Sequence, residues 1–473
     1  MTDAPAIAEQ EDAIPAGQRH PARHGDLTQG PILKTLLMFS VPMLLSNILQ
    51  TLNGSINAIW VGRLLGETAL AATANANMVM FLMFAVIFGF GMATTVRVGQ
   101  HFGARDLSAA RRTFGSGLGF SVALSILVAA LGWIYAAPLL DVLETPEASK
   151  QEALAYLRVV FATIPLGAIN MMVSMAVRGA GDSKTPMYAM IMAAAVDVTL
   201  NPVLIMGMGP LPSLGITGSA LATGFANFAG MAYQIWWIYR RDLPVRLRGP
   251  ELAFLLPRRD DLRYILGKGL PMGAQMLLTS SAGLIMVGLV NHQGLDAAAA
   301  YGASLQLWNY LQMPAFAIST AVSAMVAQSL GAGDHRRVGE VTAVGMGVNL
   351  LLSTVLAALI VALDRPLLAL FLGSDSSALP IAEHIQLVCT ASYVIMSITM
   401  ILTGTMRAYG AVVAPLVIMF LGIYPGRLGF YFVAQPIIAN EAVWWSYPVG
   451  SVVMVAMTLA YYRLGKWRQS FSM

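Results

Sequence analysis

Apolar runs of about 20 residues or more recur along the whole chain, separated by short polar breaks. Twelve can be marked, at roughly 34–60, 69–98, 113–138, 154–176, 186–208, 213–239, 262–290, 296–330, 338–363, 382–405, 411–435 and 442–463. This is the length at which an α-helix crosses the hydrocarbon of a bilayer. Hydrocarbon offers the backbone no hydrogen bonds, so spanning segments must be helices or closed barrels. The pattern predicts an all-α polytopic membrane protein with twelve transmembrane helices. Residues 1–30 mix acids, bases and prolines without an apolar run, and read as a disordered tail and not as a signal peptide.

Composition agrees. The chain has 473 residues, 57% hydrophobic and 11% charged, with a mean hydropathy of +0.67. Soluble domains carry about 25% charged residues, so a soluble helical protein is excluded. The net charge of +4 does not point to nucleic acid, because the basic residues follow topology. With the N-terminus placed in the cytoplasm, 23 of the 28 Lys and Arg fall on the cytoplasmic side. Basic residues gather on that side of membrane proteins. Both termini are therefore expected in the cytoplasm, in a multi-pass protein of the bacterial cytoplasmic (inner) membrane. The single cysteine, Cys389, allows no internal disulfide.

A basic linker, 241–261, divides the chain into an N-lobe (31–240) and a C-lobe (262–465), followed by a short cytoplasmic tail (466–473). The halves repeat each other. "VGQHFGARD" (98–106) matches "VAQSLGAGD" (326–334) at a shift of 228, and "VRGAGDSKTPM" (177–187) matches "MRAYGAVVAPL" (406–416) at 229. "SVPMLLS" (40–46) matches "GLPMGAQ" (269–275), also at 229. With six spans each, the halves are parallel repeats, a transporter design whose site lies near the bilayer midplane. The repeated loop motifs read as turns: Gly for the tight bend, Asp to cap the next helix, Pro to start it.

These motifs, with "LTQGPILKTLLMFSVPMLLSNILQTLNGSINAIWVGRLLGETALAA" (27–72), "NPVLIMG", "GITGSALAT" (215–223) and "AAAAYG" (297–302), resemble the MATE (multidrug and toxic compound extrusion) transporters over about residues 27–465. The likeness is closer to the DinF-like prokaryotic branch than to the NorM-like one. It implies two six-helix lobes in a V, and export of amphipathic, often cationic molecules in exchange for H⁺ or Na⁺. Pro42 matches a helix-1 proline at which this family is proposed to bend on protonation.

Of the 24 acids, Asp197 alone sits mid-span, in the fifth run. A charge at the bilayer centre costs roughly 3 kcal/mol or more, so such a residue is functional by default. A carboxyl that takes up and releases a proton as access alternates is what proton coupling needs. Asn201 lies one turn on at i+4, on the same face, and Pro202 removes a backbone donor beside it. The first run carries a polar stripe of Asn47, Gln50, Asn53 and Asn57. The sequence departs from its family here: the helix-1 pattern usually ends in Asp where Asn57 stands, and the helix-5 order of Asn then Asp is reversed as Asp197 then Asn201. One carboxylate remains where two are usual. That favours H⁺ over Na⁺, since hard cations prefer several charged oxygens. A Na⁺ site would use Asp197, Asn201 and Asn57, helped by Thr223 or Ser219. The helix-7 glutamate of the NorM-like branch is absent from "QMLLTSSAG" (275–283).

For the substrate cavity the candidates are Gln50, Asn53, Tyr156, Asn170 and Ser174 in the first half, and Gln275, Tyr301 and Trp308 in the second. The 29 methionines suit a deformable wall. Small drug-like or cationic molecules and the bilayer are the expected partners of a monomer. A flippase for lipid-linked precursors is the alternative, but it would need several cations for pyrophosphate, and only Arg427 lies well inside an apolar run. The six histidines (20, 24, 101, 292, 335 and 384) show no ligand spacing and no nucleophile–base pair is evident. The reading is therefore a transporter without a cofactor, not an enzyme.

Overall fold

The computed structural model describes residues 25–142, 147–207 and 212–471. Every apolar run lies in a helix, and no described residue forms a strand. The first half contributes α1 (Ile32–Leu65), α2 (Glu67–Gly103), α3 (Leu107–Val142), α4 (Glu147–Gly179), α5 (Lys184–Met206) and α6 (Gly215–Arg240). The second contributes α7 (Arg259–Asn291), α8 (Leu295–Gly331), α9 (His335–Ala362), α10 (Asp364–Leu372), α11 (Leu379–Ala408), α12 (Val413–Leu421), α13 (Phe430–Ile438) and α14 (Glu441–Leu464). Among the described residues, eleven helical spans are long and apolar enough to cross a membrane, with α12 and α13 counted as one. The 26-residue α6 falls short in hydropathy, its apolar residues diluted by Gly, Thr and Asn.

Two elements differ from the sequence pattern. The run 411–435 is not one α-helix: Gly422–Gly429 winds as a π-helix between α12 and α13. Pro425 lacks an N–H, and Gly422, Gly426 and Gly429 carry no side chains to resist a wider turn. Beyond α9, the nine-residue α10 is too short to span, and buries Leu368 while leaving Leu370 79% exposed.

In the N-lobe α5 packs on α1 and α6, and α4 on α2, α3 and α6; in the C-lobe α11 packs on α8, α9 and α14. Across the lobes α2 lies against α7 and α8, and α1 against α8. One apolar core joins both lobes at the ends that carry the basic loops, from Leu36, Phe39 and Met43 to Met325, Leu330 and Met406. At the opposite ends each lobe keeps its own core, around Phe161 in one and Trp308 in the other. The lobes thus meet at the basic side and part toward the other, giving the V.

The repeated motifs build that meeting. A Cβ on Gly103 would lie 1.9 Å from the Gln328 carbonyl oxygen, and one on Gly331 would lie 1.8 Å from the Gln100 carbonyl oxygen. Gly103 and Gly331 are repeat mates, as are Gln100 and Gln328, so one contact is made twice. Gln100 Nε2 donates to the Ala408 carbonyl at 2.7 Å, and Gln328 Nε2 donates to the Gly179 carbonyl at 3.1 Å. These two glycines serve close approach of the lobes and not the turn. The turn residues are Arg105 and Gly333, both at positive φ. The caps are as anticipated: Asp106 accepts from the Ala109 amide and Asp334 from the Arg337 amide, each at 2.9 Å.

The segments read as tails and linker are more ordered than their composition suggests. Residues 1–24 lie outside the described residues, but 25–30 dock on the C-lobe. Leu27 is 5% exposed, its amide donates to Gln328 Oε1 at 2.9 Å, and Arg337 donates to the carbonyls of Leu27, Gln29 and Gly30. The linker buries Leu243, Val245 and Leu247, forms a 3-10 turn at Gly249–Leu255, and ties Glu251 to Arg111 at 2.9 Å. In the C-terminal tail Trp467 is buried against Tyr462 and Tyr409. In each case isolated apolar residues in a polar stretch find a surface to cover.

Candidate functional site

Asp197 sits in the middle of α5 and is 1% exposed. Three side chains donate to it. Asn53 Nδ2, from α1, reaches Oδ2 at 2.7 Å; Thr223 Oγ1, from α6, reaches Oδ1 at 3.3 Å; Asn201 Nδ2, one turn along α5, reaches Oδ1 at 3.4 Å. Asn201 Nδ2 also donates to Asn57 Oδ1 at 3.1 Å, and Ser219 Oγ donates to the same oxygen at 2.8 Å. The proposed ion-coupling residues, Asp197, Asn201, Asn57, Thr223 and Ser219, therefore form one connected network across α1, α5 and α6. Asn53, assigned from sequence to the cavity, also belongs to it.

Two acceptors of the network are left over. The buried Oδ1 atoms of Asn53 and Asn201 have no hydrogen-bond partner. Buried acceptors are normally satisfied. A proton on the carboxylate, or a hard cation among these oxygens, would relieve the imbalance. Among the described residues no three His, Cys, Asp or Glu are grouped to hold a metal by themselves.

Beside the network lies a cavity of about 400 Å³ in the N-lobe, lined by α1, α2, α4, α5 and α6. Gln50, Asn53, Asn57, Tyr156, Asn170, Ser174 and Thr223 line it, whereas Asp197, Asn201 and Ser219 stand behind the wall. Its floor is polar. Gln234 Nε2, on α6, donates to Asn170 Oδ1 at 2.6 Å and to Ser174 Oγ at 2.9 Å, and Asn170 Nδ2 donates to Asn227 Oδ1 at 3.4 Å. Sequence reasoning missed Gln234 and Asn227. They lie seven residues apart on one face of α6, the spacing that marked the stripe on α1.

The three C-lobe candidates are elsewhere. Tyr301 and Trp308 are 2% and 0% exposed in the C-lobe core. The Tyr301 hydroxyl pairs with that of Tyr447 at 2.5 Å, and Trp308 Nε1 donates to Gln386 Oε1 at 3.0 Å. Gln275 donates to the Val412 carbonyl at 3.2 Å and knits its own lobe. Spacing along a helix cannot tell a cavity face from a core face when both are amphipathic in the same way. Pro42 lies inside α1, which stays helical from 32 to 65, and is buried.

The MatE family model matches the chain twice, at residues 42–203 and 271–433. The matches begin 229 residues apart, the shift of the internal repeat. Among curated proteins, the chain is 32% identical to a probable multidrug resistance protein of Bacillus subtilis, YoeA, over 91% of this chain and 94% of that one. It is 26% identical to an FAD transporter of Shewanella oneidensis, over 84% and 86%. Among solved structures it shares its fold with an outward-facing multidrug resistance MATE family transporter, at a TM-score of 0.85, 20% identity, and coverage of 96% and 99%. The double match over both lobes and the identity along nearly the whole chain give one conclusion: this chain is a member of the MatE family of membrane transporters.

Proposed function

We propose that the protein is a secondary active exporter of amphipathic small molecules, which it exchanges for H⁺ by alternating access. The observation that carries this reading is Asp197, a mid-span carboxylate held by Asn53, Thr223 and Asn201 immediately behind a substrate-sized cavity. Protonation of Asp197 changes what those three donors can hold. Two of them, Asn53 and Thr223, are also cavity wall, so the change is passed to the substrate side. The relatives named as multidrug resistance proteins support drug-like substrates. The distribution of Lys and Arg supports a cytoplasmic basic side, with the lobes joined there and the cavity facing outward. A monomer in the bacterial inner membrane suffices, and no cofactor is needed.

Na⁺ as the coupling ion is the second reading, supported by the partnerless Asn53 and Asn201 oxygens. A flippase has less support, because among the described residues Arg178 is the single basic residue that lines the cavity.

The test is transport by purified protein in liposomes under a pH gradient or a Na⁺ gradient. Two xanthene dyes serve as substrates, cationic rhodamine 6G and anionic carboxyfluorescein. Dye efflux driven by the pH gradient and lost in Asp197→Asn is the expected result. Efflux driven only by Na⁺ would replace H⁺ in the scheme. Efflux that persists unchanged in Asp197→Asn would overturn the role of the carboxylate.

A further inference from the structure

Among the described residues the cavity wall carries one charge, and it is positive. Arg178 lies one turn below Ser174 on α4, continuing the face of Asn170 and Ser174 at i, i+4 and i+8. Its guanidinium makes no hydrogen bond or ion pair among the described residues, and its Nε is buried without a partner. Among the described residues no Asp or Glu lines the cavity. Asp182, in the turn between α4 and α5, and Asp197, on α5, are committed elsewhere. Asp182 accepts from the amides of Lys184 and Thr185 and from the Thr185 hydroxyl. Asp197 stands behind the wall with both oxygens accepting hydrogen bonds.

Arg178 lies in the last turn of α4, on the basic side, and a buried arginine is ordinarily paired, because a buried unpartnered charge is strongly destabilising. An unpaired guanidinium facing a cavity is a fork of donors shaped for an oxyanion. Arg407 holds the matching place in the second repeat and does not line this cavity, so the charge is a property of the N-lobe. Above Arg178 the wall offers amides and hydroxyls from Asn170, Ser174 and Asn227. Met80, Met83, Met171 and Met175 supply a deformable apolar side.

We infer that the cavity selects amphipathic molecules bearing an oxyanion, a carboxylate or a phosphate, which Arg178 binds at the floor while the apolar body lies against the methionines. This rests on the reading that the N-lobe cavity holds the substrate. A purely cationic molecule finds no counter-charge in this wall and meets one like charge.

The experiment is fluorescence polarisation of carboxyfluorescein and rhodamine 6G, which share a ring system and differ in charge, titrated with the purified protein. The wild type should bind carboxyfluorescein the tighter. Loss of a charge-assisted hydrogen bond corresponds to about 10- to 100-fold in affinity. Arg178→Gln should weaken carboxyfluorescein by that factor and strengthen rhodamine 6G, and Arg178→Lys should recover part of the loss. Benzoate and phenyl phosphate, added as competitors, rank carboxylate against phosphate; displacement by neither overturns the inference. So does equal binding of the two dyes, or carboxyfluorescein affinity unmoved in Arg178→Gln. Ala168→Trp, which fills the cavity, separates this from failure of the site itself. If it abolishes dye binding while Arg178→Gln does not discriminate the dyes, the cavity stands and the anion preference falls. If it leaves binding intact, the cavity is not the binding site and both readings fall. Gel-filtration profile and melting temperature verify that each variant is folded.

Discussion

Replacing Gly103 by alanine adds one methyl group at the seam between the lobes. That methyl would lie 1.9 Å from the Gln328 carbonyl oxygen, whereas ordinary contact begins at 3.4 Å. The lobes must separate locally by about 1.5 Å to admit it. Alanine is the better helix former by about 1 kcal/mol, so α2 itself does not suffer. The loss falls on hydrogen bonds that cross the seam: Gln328 to Gly179 at 3.1 Å, Leu27 to Gln328 at 2.9 Å, and Gln100 to Ala408 at 2.7 Å. At about 0.6–1 kcal/mol each, the closed arrangement of the basic side weakens by roughly 2–3 kcal/mol, or about 30- to 150-fold in population. Spin labels at Ser108→Cys and His335→Cys, both exposed and on opposite lobes, report the separation by double electron–electron resonance. The buried Cys389 is first changed to serine so that these are the only labelled sites. A second, longer distance is expected in Gly103→Ala. A wild-type distance distribution in a protein that still folds would refute the argument that this close approach holds the side shut.

Other outcomes follow from the same geometry. Asn57→Asp places a second carboxylate where Asn201 and Ser219 already donate, so dye efflux should gain sensitivity to Na⁺; an unaltered Na⁺ titration would remove position 57 from the ion site. Trp308→Phe loses the bond to Gln386 and should cost about 1–2 kcal/mol, read as a lower melting temperature with dye affinity unmoved; a changed affinity would return Trp308 to the cavity. Trp467→Ala empties a fully buried site between Tyr409 and Tyr462. It should destabilise the protein by about 3–5 kcal/mol, and a wild-type melting curve would mean that the C-terminal turn is not part of the fold.

The spans were legible because lipid leaves the chain few choices, and a run of 20 apolar residues has one stable use. Asp197 was legible because it is the lone mid-span acid, and its partners because Asn201 at i+4 and the α1 stripe declare a shared face. What the sequence hid was direction. The spacing of Tyr301 and Trp308 resembles that of a cavity wall, yet the C-lobe fills the equivalent space with aromatic rings. Gly422–Gly429 looked like ordinary helix because a wider turn leaves no mark in hydropathy. Arg178 stands inside the repeated loop motif 177–187, whose turn chemistry is sufficient to account for it. Only the fold places it on the cavity wall.

The seam made by Gln100, Gly103, Gln328 and Gly331 has a further meaning. Each lobe offers the other the same glycine and the same amide, so the seam has the form of an isologous interface, the kind that two identical subunits make about a two-fold axis. Such a surface is complementary to itself. Two separate six-helix chains carrying it would dock in the arrangement seen here, and covalent joining adds only effective concentration. Joining also freed the two copies to diverge. One could keep an acid and an open chamber while the other closed around tryptophan and tyrosine, with the self-complementary seam as the part that neither could change alone.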